Sequence, residues 1–166
     1  MNVLYKSHYD SPIGKLWIVS DEVAIKGIWF DNQQHFAAGY SLAAIQQAET
    51  DSILALKKWL KAYFNGERCD VSALSLAPVG TVFQQQVWQI LMTIPYGETM
   101  SYAEIAAQIW TDSAKGSPRA VGGAVGKNPI AICIPCHRVI GSKGAITGYA
   151  GGLEKKQWLL EHEMKR

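Results

Sequence analysis

The stretch Ser117-Pro118-Arg119-Ala120-Val121-Gly122-Gly123-Ala124-Val125-Gly126-Lys127-Asn128-Pro129 opens and closes like a helix, yet three glycines interrupt its middle. Ser117 is a suitable cap, and Pro118 suits the first helical position because its missing N–H would be unpaired there anyway. Asn128-Pro129 ends the segment, since the residue before a proline is pushed away from helical geometry. Each glycine in an exposed helix costs on the order of 1 kcal/mol relative to alanine, so a compensating role is needed. Two are open: a smooth backbone that approaches something closely, such as a narrow groove, or close packing against another helix.

Two more helix starts precede this one. Thr81 with Gln84 and Ser101 with Glu104 have capping-box spacing, in which a hydroxyl and a side chain three residues on satisfy orphan amides of a first turn. They predict helices over about 82–92, ending before Pro95-Tyr96-Gly97, and over 102–109. Three short helices with tight turns suggest a helix-turn-helix, with residues 118–127 as its recognition helix.

Before residue 80 the pattern is different. Residues 3–9, 15–20 and 23–30 are rich in β-branched and aromatic side chains and are separated by Asp10-Ser11-Pro12-Ile13-Gly14 and Asp21-Glu22, which predicts an antiparallel meander. A helix is expected over 52–64, with Ile53, Leu56, Leu60 and Phe64 on one stripe and Asn65-Gly66 as its stop. Residues 67–80 read as a connecting segment.

A chain of 166 residues with 48% hydrophobic and 18% charged side chains can bury a sizeable core, which excludes disorder by polarity and charge. It has no apolar stretch long enough to cross a bilayer and no signal-peptide block at its start, so a soluble cytoplasmic protein without membrane association is expected. The cysteines number three, and Cys133 and Cys136 are too close to close a useful structural loop, so reduced thiols are expected. Net charge is +2, but no carboxylate lies between Asp112 and Glu154, where Lys115, Arg119, Lys127, Arg138 and Lys143 contribute +5. That run reads as a polyanion-facing surface or as a solvated basic face.

The chemistry follows the glycine-bearing helix. Residues 128–134 read as a turn and a buried strand delivering Pro135-Cys136-His137-Arg138. Cysteine attacks as thiolate, and an isolated thiol is mostly protonated at neutral pH, so a neighbouring base is needed. Adjacent strand residues point to opposite faces; Cys136 and His137 therefore cooperate only if Pro135 breaks the strand or a water bridges them. The base needs an orienting partner, for which His162 and Glu163 are candidates. Unreactive core residues, and a redox pair in Cys133-Ile134-Pro135-Cys136, are the competing readings.

The strings Arg119-Ala120-Val121-Gly122-Gly123-Ala124, Asn128-Pro129, Ile134-Pro135-Cys136-His137-Arg138-Val139-Ile140, Gly148-Tyr149-Ala150-Gly151-Gly152-Leu153, Lys156 and Trp158-Leu159-Leu160-Glu161-His162-Glu163 together resemble the methylated-DNA–protein-cysteine methyltransferases, the O6-alkylguanine-DNA alkyltransferases. The resemblance covers about residues 80–165 closely and the first 80 more loosely. It implies an α/β N-terminal domain (RNase H-like, antiparallel sheet plus helix) over 1–78. A mainly α C-terminal domain with a helix-turn-helix, winged-helix-like, would follow over 79–166.

It further implies repair of double-stranded DNA carrying alkylated bases. The alkyl group of O6-alkylguanine, with O4-alkylthymine as a second substrate class, passes irreversibly to Cys136 after the base is flipped out from the minor groove. In the implied machinery His137 takes the thiol proton through a water, Glu163 holds the imidazole, Tyr102 serves the leaving guanine and Asn128 braces the cysteine turn. Arg119 enters the base stack, and Ser101, Tyr102, Ala120, Gly122, Gly123 and Lys127 meet the DNA. Val125, Val139, Tyr149, Ala150 and Lys156 form the substrate pocket, where the carbonyls of Cys136 and Val139 receive the exocyclic amine. No cofactor and no metal are implied, since residues 1–68 lack the cysteines with which some relatives hold zinc, and a monomer is expected. The loop 111–116 is longer than in close relatives.

Overall fold

The computed structural model describes residues 3–110 and 117–165. The chain divides into two compact units, Met1–Val79 with Pro129–Ala131, and Gly80–Asn128 with Ile132–Arg166.

The first unit is built on an alternating meander: β1 (Tyr5–Ser11), β2 (Gly14–Ser20) and β3 (Ile25–Phe30) are antiparallel neighbours. A two-residue strand, β4 (Gln46–Gln47), pairs in parallel with β1, giving the order β3-β2-β1-β4. The register opposes Leu16 to Phe30 and Ile18 to Ile28, which places all four on one face, and all are buried. Helix α1 (Asp51–Phe64) contacts β1 and β2. Its first turn is capped by Thr50, whose hydroxyl accepts from the Ile53 N–H at 3.2 Å.

The buried stripe of α1 is Ile53, Leu56, Leu60 and Tyr63, not Phe64. A step of three from Leu60 is as helical as a step of four. Tyr63 completes the stripe and stacks on Trp59 at 5.4 Å between ring centroids, while Phe64 turns outward to stack on Tyr9. Residues 75–77 and 129–131 both bond to β3. The Ile25 N–H donates to the Ser75 carbonyl at 2.7 Å, the Ile28 N–H donates to the Pro129 carbonyl at 2.8 Å, and the Ala131 N–H donates to the Ile28 carbonyl at 3.0 Å.

The second unit is mainly helical. Helices α2 (Val82–Leu91), α3 (Tyr102–Ile109) and α4 (Pro118–Gly126) pack on one another, burying Val87, Trp88 and Leu91, Ile105 and Ala106, and Val121, Ala124 and Val125. Both capping boxes form: Thr81 and Ser101 accept from the Gln84 and Glu104 amides at 3.1 and 3.0 Å, and those side chains accept in return. Ser117 caps α4 through the Ala120 amide at 3.2 Å. Trp88 on α2 donates its indole N–H to the Ala124 carbonyl on α4 at 2.9 Å, which fixes the last turn of the glycine-bearing helix.

Strand β5 (Met100–Ser101) pairs in parallel with β6 (Val139–Ile140), opposing Met100 to Val139 and Ser101 to Ile140, so the lead-in to α3 runs beside the exit from the cysteine turn. Helix α5 (Leu153–Met164) packs on that turn. The longer loop expected at 111–116 lies outside the described residues.

The buried strand expected before Pro135 does not form. Ile130 to Ile134 are buried, but only Ile130 makes a bridge, to Ile28. Ile132 adopts a left-handed φ of 69°, an uncommon state for a β-branched side chain and incompatible with an extended run. The Ile134 carbonyl, which a ladder would have used, accepts instead from the Asn128 side-chain amide at 2.7 Å.

Candidate active site

Pro135 solves the facing problem that a strand would have posed. Its φ of −81° and ψ of 66° are those of an inverse γ-turn, and the Cys136 N–H donates back to the Ile134 carbonyl at 2.8 Å. Cys136, His137 and Arg138 then form a single 3-10 turn, all buried, with His137 fully so. The Cys136 carbonyl accepts from the Val139 N–H, leaving one further lone pair.

Glu163 on α5 is where the turn's polar groups converge. Its carboxylate meets His137 Nε2 at 2.6 Å, accepts from Arg138 Nε at 2.7 Å and Nη2 at 3.1 Å, and accepts from the Gly97 N–H at 3.2 Å. Arg138 also donates to the Ile94 carbonyl at 2.7 Å and lies over the Tyr96 ring. Burial works to raise the Glu163 carboxyl, but the His137 and Arg138 bonds win and hold it well below the usual carboxylate range. Burial lowers the pKa of His137, against the pull of Glu163, so the imidazole is neutral. With a carboxylate at 2.6 Å from Nε2, the ring proton belongs on Nε2. That leaves Nδ1 with a lone pair, buried and without a hydrogen-bond partner among the described residues, where it can accept a proton.

Burial pushes the Cys136 thiol above its ordinary value, opposed by the Asn128 amide, the Lys156 charge and the Tyr149 hydroxyl. The thiol is therefore protonated at neutral pH, and its three polar neighbours favour the thiolate once a proton acceptor draws the proton away. Burial, then Cys136, raise the Tyr149 hydroxyl well above its ordinary value, so it acts as a neutral donor. Lys156 is fully buried, and its ammonium donates to the carbonyls of Thr147 at 2.6 Å and Gly148 at 3.2 Å.

Beyond Pro118 at its start, the exposed positions of α4 are Arg119, Ala120 and Gly123, and with Lys127 at the C-cap they form one stripe with a cation near each end. Among the described residues, a Cβ on Gly122 would meet only the Tyr102 ring, at 3.7 Å, and a Cβ on Gly123 or Gly126 would meet nothing within 4 Å. Helix packing therefore does not account for Gly123 or Gly126, and the surface role is the reading left for them. Tyr102 opens α3 beside this stripe, with Ser101 as its cap. Val125 and Val139 are buried, whereas Tyr149 and Ala150 are partly exposed.

Arg138 corrects the charge reading. It is not part of a polyanion-facing surface but a buried partner of Glu163, which takes one charge out of the basic run. Of the two C-terminal candidates for orienting His137, Glu163 does so, while His162 stacks on Trp158. The Thr147 and Gly148 carbonyls, the Gly97 N–H and the Ile94 carbonyl were invisible in sequence, because backbone groups carry no residue-type signal. Among the described residues Cys69, Cys133 and Cys136 are not joined in disulfides. Among the described residues no cluster of His, Cys, Asp or Glu could hold a metal ion, and no helix is long and apolar enough to cross a membrane.

A buried cysteine, a neutral histidine and a carboxylate that orients it, next to a helix with a smooth exposed stripe, match one family along nearly the whole chain. Residues 82–165 match the model of the 6-O-methylguanine DNA methyltransferase DNA binding domain, and residues 4–78 match that of its ribonuclease-like domain; the chain belongs to this family. It is 43% identical over 163 residues to the methylated-DNA–protein-cysteine methyltransferase of Haemophilus influenzae, covering 98% of this chain and 88% of that protein. With the protein of that name from Salmonella typhimurium it shares 40% identity over 159 residues, 92% of this chain and 91% of the relative. The structure resembles that of Mycobacterium tuberculosis OGT in complex with DNA, with a TM-score of 0.84 and 42% identity over 96% of this chain and 92% of that one.

Proposed function

We propose that the protein repairs alkylated DNA by transferring the alkyl group from O6 of guanine to the sulfur of Cys136. The carrying observation is the Nδ1 lone pair of His137, set by Glu163 and buried one residue from the cysteine in a single turn. His137 accepts the thiol proton through a water as sulfur attacks the alkyl carbon in line. The carbon–oxygen bond breaks, and the electron pair leaves with guanine, which the Tyr102 hydroxyl and the Ala150 N–H stabilise by hydrogen bonds. The product is a thioether, a poor leaving group, so each molecule acts once and needs no cofactor.

DNA approaches along the stripe of α4, read as the recognition helix of a helix-turn-helix formed with α3. Small side chains fit a minor groove better than the donor and acceptor pattern of the major groove demands. The target base lies outside reach within a duplex and is rotated into the pocket, with Arg119 taking its place in the stack. Membership of a family whose model is described as a DNA binding domain, and the DNA complex of the M. tuberculosis relative, support DNA as the partner. The N-terminal unit corresponds to the ribonuclease-like domain, and O4-alkylthymine is a second substrate class of the same pocket.

Affinity for duplex DNA falls as salt rises, because phosphate contacts release counterions. Arg119→Ala, at an exposed position, slows repair of O6-methylguanine in duplex DNA by on the order of tenfold or more, a loss of about 1.4 kcal/mol, and leaves reaction with the free alkylated base nearly unchanged. Equal losses on both substrates contradict the role given to Arg119. Product beyond one equivalent contradicts transfer and indicates a cysteine hydrolase.

A further inference from the structure

A lysine with no exposed surface is unusual, because burying an ammonium group sacrifices its hydration unless something replaces it. Lys156, on the first turns of α5, has zero exposure, and its ammonium donates to two backbone carbonyls, Thr147 at 2.6 Å and Gly148 at 3.2 Å. No carboxylate hydrogen-bonds to its ammonium among the described residues; Glu163 is engaged by His137, Arg138 and Gly97. The two carbonyls belong to the segment that leads into Tyr149 and Ala150, and that segment is otherwise weakly specified. Gly148 and Gly152 flank it with φ values of 36° and 101°, and residues 145–149 form no helix or strand.

We infer, resting on the transfer reaction proposed above, that Lys156 is a positioning residue: its ammonium latches the Thr147–Gly148 segment and so holds the Tyr149 hydroxyl and the Ala150 N–H at the nucleophile. The connection to the sulfur runs both ways. The Lys156 charge and the Tyr149 hydroxyl both favour the thiolate of Cys136, so one cation fixes the wall of the pocket and tunes the attacking atom. A charged donor makes hydrogen bonds roughly twice as strong as a neutral one, so the latch depends on the proton that Lys156 carries. Burial lowers its pKa to about 8, with Cys136 pulling it partly back. The charged and titratable groups that face it are Cys136 and His137 from the turn; His137 is neutral, and the Cys136 thiol is pushed upward. Lys156 is therefore the group facing the pocket that loses charge first as pH rises above neutrality.

The test is the rate of alkylation by the free base O6-benzylguanine between pH 6.5 and 9.5, read as the mass gain of the protein, for the unaltered chain and for Lys156→Met, which keeps the length of the side chain and removes its donors. The unaltered protein is expected to lose rate as pH passes about 8, whereas Lys156→Met is slower by on the order of tenfold at pH 7 and shows no alkaline decline. Two profiles of the same shape overturn the latch. Should Lys156→Met fail to fold, amide exchange in the unaltered protein decides. The protection factor at Gly152, whose N–H donates to the Tyr149 carbonyl at 2.9 Å, corrected for intrinsic exchange, is expected to fall between pH 7 and 9 while those of α2 hold, and unchanged protection overturns the inference. The two proposals fail separately: no mass gain from O6-methylguanine in duplex DNA contradicts the transfer reaction, and the exchange measurement still tests the latch.

Discussion

Glu163→Gln is expected to cost the fold about 3–5 kcal/mol, because it leaves the buried guanidinium of Arg138 without its counter-charge. Arg138 is 8% exposed and Glu163 2%, so water replaces little of what is lost. A glutamine oxygen at the Oε1 position can still accept from Arg138 Nε and the Gly97 N–H, but its NH2 group then faces the two donors that the other carboxylate oxygen satisfies, His137 Nε2–H and Arg138 Nη2. Urea unfolding at pH 7 measures the loss. The pH dependence changes as well. The folded-state pKa of Glu163 is depressed, so its contribution is fully present above its ordinary value of 4.5 and is lost as pH falls, because the unfolded chain binds the proton first. The unaltered protein should therefore lose stability steeply below about pH 4.5, and the Gln variant should lose less over the same range. Alkyl transfer at pH 7 should slow even in the folded fraction, since the imidazolium formed during the reaction loses its anion.

The second large effect separates stability from activity. Gly123 lies on the exposed stripe of α4, and a Cβ there meets nothing within 4 Å. Gly123→Leu should therefore stabilise the protein by about 0.5–1 kcal/mol through helix propensity alone. The same side chain holds the helix backbone away from the groove. Reaction with O6-methylguanine in duplex DNA should fall by on the order of 100-fold, the equivalent of about 3 kcal/mol, with reaction of the free base preserved. A higher melting temperature with repair unchanged contradicts α4 as the DNA-facing helix.

Local signals in the sequence carried the second unit well. The capping boxes at Thr81 and Ser101 and the Ser117-Pro118 start have short-range causes, and α2, α3 and α4 begin where those residues put them. The meander was legible for the same reason, since alternation and turn residues act within a few positions. The segment before the cysteine was not. An apolar run such as residues 130–134 has the same composition whether it lies in a ladder or in buried turns, and the left-handed Ile132 is imposed by its surroundings. Arg138 was misplaced because charge counting along the chain does not see a partner 25 residues away. The glycines of α4 were legible as an anomaly, and the empty space beside Gly123 and Gly126 shows why they differ from packing glycines.

The most direct test of alkyl transfer is intact-mass spectrometry after incubation with duplex DNA holding one O6-methylguanine, with Cys136→Ser alongside. One added methyl group that maps to Cys136, limited to one equivalent and absent from the Ser variant, is the predicted result. An unchanged mass with tight binding to the lesion would contradict transfer and define a protein that marks damage without removing it.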